Sequence, residues 1–211
     1  QEKTEGCITE IKYGLLYNWY AATDVRNICA EGWNIPSKTE FTIICDYLAG
    51  YEIAGGKLKE TGLIYWNTPN SGATNEVNFN AVGAGRRNQL GTFIEIKAHN
   101  YLHLSTIYSS YYGMYVRLDY GSTVVTGIGG DGIAVKKMGF SIRPVRPATE
   151  LEQLQMDGEA CAPYTGNDGK VYTTVKIGTQ VWVAANLAET KYRNGDTITE
   201  VTDNAAWAAL T

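Results

Sequence analysis

Between residues 100 and 131 the chain gathers the side chains best suited to holding another molecule: Asn100, Tyr101, His103, Tyr108, Tyr111, Tyr112, Tyr120 and Asp131. The tyrosines recur with Ser and Gly between them, where a core strand would repeat Val, Ile and Leu. Tyrosine supplies rigid contact area and a hydroxyl at low entropic cost, the mixture that recognition surfaces favour. The competing reading is that these rings fill a β-rich core, but burying them all demands a partner for each hydroxyl. The set is therefore expected at the surface as a ligand-binding patch. Catalytic and metal chemistry find less support. No cysteine occurs between Cys45 and Cys161, and neither His99 nor His103 neighbours a Ser or Cys nucleophile motif. Asp119, Asp131, Asp196 and Asp203 lack the spacing of a calcium loop, so no metal or cofactor is assigned. The GAGRR segment lacks the ending and the following helix of a phosphate loop. Arg86 and Arg87 are expected instead to hold loops by pairing with carboxylates or carbonyls.

A chain of 211 residues with 44% hydrophobic content can bury a full core, as one domain or a domain with an appendage. Its formal charge of -4, with the basic residues scattered, argues against a nucleic-acid partner. No run of 18 apolar residues occurs, so no membrane insertion is expected. Gln1 opens the chain without a charged-then-apolar leader, which places any export signal outside it. The four cysteines have no CxxC spacing and only two histidines accompany them, against structural zinc. Cys45 reads as a buried thiol. Cys7 and Cys161 lie in polar, glycine-bearing segments and can bridge only if the fold brings them together.

Several elements must position the tyrosines. YGLLYNWYAAT places Leu16, Trp19 and Tyr20 at helical spacing and predicts a short amphipathic helix ending near Thr23. A second helix is signalled more fully: Ser37 caps it with Glu40 three residues on, Phe41, Ile44, Cys45 and Leu48 form its apolar face, and Gly50 stops it. The Gly-, Asn- and Thr-rich stretch that follows predicts long ordered loops pinned by Tyr65, Trp66, Phe79 and Phe93. Strands are expected at about 114–120, 122–128, 133–136 and 139–145, forming an antiparallel meander, with Pro144 and Pro147 making the last an edge or exit. Residues 148–169 read as a linker containing a turn of helix. Beyond them, Val171, Thr173 and Val175 alternate with Tyr172, Thr174 and Lys176. Gly178-Thr179 turns a hairpin back through Val181 and Val183, and Asp203 or Asn204 caps a last helix, AAWAAL.

The segments YGLLYNWYA, CAEGWNIPSKTEF, AGGKLKETG, YWNTPNSGATNEVNFNAVGAGRRNQLGTF, STIYSS and KKMGFSIRPVR resemble the Fibrobacter succinogenes major paralogous domain. DGKVYTTVKIGTQVWVAANLAETKYRNGD and VTDNAAWAALT resemble the same family, but their order is rotated: in the family they precede the YGLLYNWYA segment. The resemblance implies that residues 170–211 complete the fold begun by residues 1–147. They do so within one chain as a circular permutation, or by donation to a neighbouring copy in a homo-oligomer or tandem array; the bland alternative is a fragment cut across two repeats. It also implies an α+β, C-type-lectin-like fold with two helices, an antiparallel meander and long ordered loops. That fold is shared with formylglycine-generating enzymes and with the variable proteins of diversity-generating retroelements. In the latter, a stretch just before the closing strand varies and binds diverse ligands, the place that residues 100–131 occupy here.

Three functions follow as expectations. The first is a non-catalytic adhesion module that grips a cell-surface protein or glycan receptor, as on a phage tail-fibre tip or a bacterial surface. The second is a structural repeat of a surface lipoprotein. An enzyme of the formylglycine-generating type is disfavoured, since that chemistry needs an activated cysteine late in the domain and IRPVR carries Pro144 there.

Overall fold

The computed structural model of the protein describes residues 12–210. They form an α+β fold of four helices and several antiparallel sheets. The helices are α1 (Trp19–Ala22), α2 (Lys38–Tyr47), α3 (Tyr51–Leu58) and α4 (Asn204–Ala209). Helix α2 forms as its sequence dictates. The Ser37 hydroxyl accepts from the Glu40 amide while the Glu40 carboxylate accepts from Ser37, and Phe41, Ile44 and Cys45 are buried. Gly50, at φ 103°, ends the turn with its N–H on the Cys45 carbonyl. Helix α3 has no such signature and contains Gly55 and Gly56, which weaken an isolated helix. Packing requires them: a Cβ on Gly55 would lie 2.6 Å from the Thr123 carbonyl oxygen, and one on Gly56 2.4 Å from that of Gly72.

The strands are β1 (Arg86–Arg87), β2 (Phe93–Ile94), β3 (His99–Ile107), β4 (Tyr112–Asp119), β5 (Ile133–Val135), β6 (Val145–Pro147), β7 (Tyr164–Thr165), β8 (Val171–Tyr172), β9 (Thr174–Ile177) and β10 (Gln180–Val183). The main sheets are β3-β4-β5 and β6-β10-β9, both antiparallel. The expected strand over 122–128 is a loop bonded to β4 through Thr126 and Arg117. Residues 139–144 likewise form bridges rather than a strand. Phe140, Ser141, Ile142 and Arg143 are all buried, because this segment is covered on both sides instead of alternating between core and solvent. The expected helix in YGLLYNWYA shrinks to the four residues of α1. Tyr17 lies extended, exchanging both backbone hydrogen bonds with Phe140, and the Asn18 side chain caps α1 by accepting from the Ala21 amide.

The long loop between α3 and β3 is ordered. Asn70, Asn75, Asn78 and Asn80 take positive φ between 47° and 56°, which asparagine tolerates better than most residues. Trp66 and Phe79 anchor it in the core, whereas Phe93 stays exposed beneath the Arg87 guanidinium, 4.8 Å from its ring. As expected, Arg86 pairs with Glu95 at 2.9 Å, and Arg87 donates to the carbonyls of Gly91, Val201, Thr202 and Asp203.

The tail enters the same core. Trp182, on the central strand β10, packs edge-on between Phe41 and Phe79 at 5.6 and 5.7 Å. Leu15 donates to Leu187, the Tyr17 hydroxyl to the Glu189 carbonyl, and the Arg143 guanidinium to the Asn186 side chain. Trp207 of α4 donates to Asn88 and lies 4.3 Å under Arg87. Residues 148–169 are bonded to this sheet, Gly158 to Lys176 and Cys161 to Thr174, with Tyr164 fully buried. Cys45 is buried as expected, and burial pushes its thiol and that of Cys29 up to about 12. Cys7 lies outside the described residues, and with it any bridge to Cys161.

Candidate binding site

The hairpin of β3 and β4 carries the tyrosine-rich stretch, in a register that sets Tyr101 against Arg117, His103 against Tyr115 and Ile107 against Gly113, with an irregularity between His103 and Ile107. The irregularity divides two environments. Residues 100–104 are buried on both faces of β3. Three residues expected at the surface are corrected here: Asn100, Tyr101 and His103 are no more than 2% exposed. The Asn100 amide donates to the Val82 carbonyl. Tyr101 stacks on Phe140 at 5.1 Å with its hydroxyl on Glu95 at 2.7 Å, and burial pushes that phenol up to about 12. His103 lies 4.9 Å from the Phe140 ring and bonds the Tyr17 carbonyl through Nε2 at 2.8 Å; burial pushes its pKa down to about 4. The phenol of Tyr101 therefore has the partner that burial demands.

Past the irregularity the hairpin leaves the core. Tyr108, Tyr111 and Tyr112 are 58%, 74% and 40% exposed, and Ile107 beside them is exposed too. Their turn is tied down while the rings are free. The amides of Tyr108 and Ser109 both donate to the Tyr112 carbonyl at 3.2 and 3.1 Å. The Ser109 hydroxyl accepts from the amides of Tyr111 and Tyr112, and Lys136 donates to the Tyr111 carbonyl. Gly113 presses on the Trp19 indole so closely that a Cβ would lie 2.3 Å from the ring, and that indole donates to Leu104. Helix α1 thus fixes the base of the tip.

Two expected site residues lie elsewhere. Tyr120 is half-buried against the core at the far end of β4, eight residues from Tyr112, or roughly 25 Å at the usual strand rise. Asp131 is exposed in the loop before β5, where its carboxylate accepts from the Gly127 amide at 3.1 Å and borders a separate hollow with Tyr51 and Thr126. The tip instead adjoins a groove of about 330 Å³, within the range of small-molecule sites, bordered by Tyr20, Leu90, Tyr111, Val135, Lys136 and Ala208. Of these only Tyr111 belongs to the expected set. The others come from four distant stretches of chain, and no local spacing could have gathered them.

The profile of the Fibrobacter succinogenes major domain matches residues 7–146. The chain belongs to that family. The Fibrobacter succinogenes major domain match takes in α2, the long loop and the whole β3–β4 hairpin with its exposed tip. It stops at Arg146, so the tail that supplies β10, Trp182 and Trp207 lies beyond it. No curated protein and no solved structure matches the chain.

Proposed function

We propose that this chain is a non-catalytic ligand-binding module, a C-type-lectin-like frame that presents Tyr108, Tyr111 and Tyr112 to a protein or glycan receptor on a cell surface. The observation that carries the reading is the exposure of three phenol rings on a turn whose backbone is held by hydrogen bonds. Clustered exposed apolar surface of this kind is uncommon unless something binds it. A turn held in advance loses little entropy on binding, and a few aromatic anchors then carry most of the affinity. The setting is extracellular, on a phage tail-fibre tip or a bacterial surface.

Diversification by a retroelement, in this reading, acts on Tyr108, Tyr111, Tyr112 and the exposed Asp131, and spares Asn100, Tyr101 and His103, which the core needs. A reverse-transcriptase gene and a near-copy of the codons for residues 100–131 beside the coding sequence test that part. Binding itself is tested by replacing Tyr111 and Tyr112 together with alanine and reading attachment to cells and to immobilised surface glycans. Loss of attachment with an unchanged melting temperature supports the reading, and full retention refutes it.

A further inference from the structure

The groove beside Tyr111 holds a charge that the fold does not answer. Three lysines are buried. Lys59 donates to the carbonyls of Ser71, Asp119 and Ser122, and Lys176 pairs with Asp157 at 2.9 Å. Lys136 is 8% exposed, yet among the described residues no carboxylate, carbonyl or hydroxyl accepts from its ammonium, which rests 4.3 Å from the centre of the Trp19 ring. The indole face attracts the cation, and the ammonium keeps contact with solvent on the groove side, where a ligand anion can reach it. Lys136 also borders the groove, whose other walls are the exposed rings of Tyr20 and Tyr111 and the side chains of Leu90 and Val135.

We infer that this groove takes a carboxylate-bearing sugar, its ring laid against Tyr20 and Tyr111 and its carboxylate against Lys136. The inference rests on the proposed role of the tip as a binding surface and names the ligand chemistry there. A peptide strand is a poorer fit because the backbone beside the groove is already committed. The Lys136 amide donates to Tyr111, its carbonyl accepts from Trp19, the Val135 carbonyl accepts from Met138, and the Ala208 carbonyl accepts from the Lys137 ammonium. Strand addition needs free ladder groups, which these are not. What remains available is side-chain chemistry: aromatic faces for the C–H face of a pyranose, the Gln89 amide for its hydroxyls, and one ammonium for one carboxylate.

The test is direct binding of the full chain to trigalacturonate, trimannuronate and α2,3-sialyllactose, each beside its carboxyl-reduced form. At least one acidic probe binds, and about tenfold or more of that affinity disappears on carboxyl reduction. Lys136→Met, which keeps the apolar stem on Trp19, and Tyr111→Ala each bring a comparable loss with melting temperature preserved. Lys170→Met, at an exposed lysine outside the groove, brings none. The inference is overturned if no acidic probe binds better than its reduced form, or if Lys136→Met binds like the wild type. Cell attachment by a Tyr108→Ala/Tyr111→Ala/Tyr112→Ala variant is read in parallel. Acidic sugars failing while attachment still depends on those tyrosines overturns the sugar assignment alone, whereas attachment indifferent to them overturns the proposed function.

Discussion

Tyr101 and Tyr111 are ten residues apart on one hairpin and have opposite surroundings: the first is 2% exposed, the second 74%. Their substitutions separate accordingly. Tyr101→Ala empties a stacked core position and is expected to cost about 3–5 kcal/mol, while Tyr111→Ala stays within about 0.5 kcal/mol of the wild type, both by urea unfolding. Composition could not divide the two, because Tyr, Ser and Asn suit a binding tip and a fully satisfied polar core alike. The deciding facts, Glu95 for the Tyr101 hydroxyl and the Tyr17 carbonyl for His103, come from segments far off in sequence. His103 gives a second test. Its folded pKa, about 4, lies below the ordinary value of 6.5, so the unfolded chain binds its proton more readily and neutral His103 stabilises the fold above pH 6.5. That contribution, on the order of 3 kcal/mol, is lost as pH falls from 6.5 towards 4. His99, also lowered by burial, acts with the same sign. Unfolding free energies across this window should fall with pH in the wild type and fall less in His103→Gln; equal slopes would place His103 outside the account.

At the scale of the element, the proposed display role of the hairpin requires that its base be clamped. Gly113 accepts the Trp19 indole at a distance that no side chain allows. Gly113→Ala is therefore expected to destabilise the fold by about 1–3 kcal/mol and to weaken binding at the tip, although residue 113 itself is buried. Retention of both stability and binding would show that the clamp is dispensable. Elements whose cues are local were legible in sequence. Helix α2 carried its whole capping box, and the β9–β10 turn at Gly178-Thr179 carried its glycine. Helix α3, with two mid-helix glycines, was not, since its reason is the close approach of Thr123 and Gly72. Nor was the both-sided burial of residues 139–144, where alternation of apolar and polar residues suggested one wet face while Arg143 was being held by Asn186 and the carbonyls of Phe79 and Asn80.

At the scale of the whole molecule, the frame that carries the tip is finished by the tail. Trp182 fills the space between Phe41 and Phe79, Asn186 holds Arg143, and Trp207 lies under Arg87. Deleting residues 170–211 strips these partners at once. The remaining chain is expected to lose its cooperative thermal transition and to recover it when the deleted segment is supplied as a peptide; a sharp, unchanged transition in the truncated chain would mean that the tail is an accessory. The central claim remains that a rigid frame holds phenol rings outward to grip a surface. Titrating labelled protein onto bacterial cells tests it most directly, comparing the wild type with a Tyr108→Ala/Tyr111→Ala/Tyr112→Ala variant and with a Tyr47→Ala variant, at a tyrosine 53% exposed at the end of α2. The account predicts that the tip variant binds about tenfold or more weakly while the other matches the wild type. Equal binding by all three proteins would contradict it.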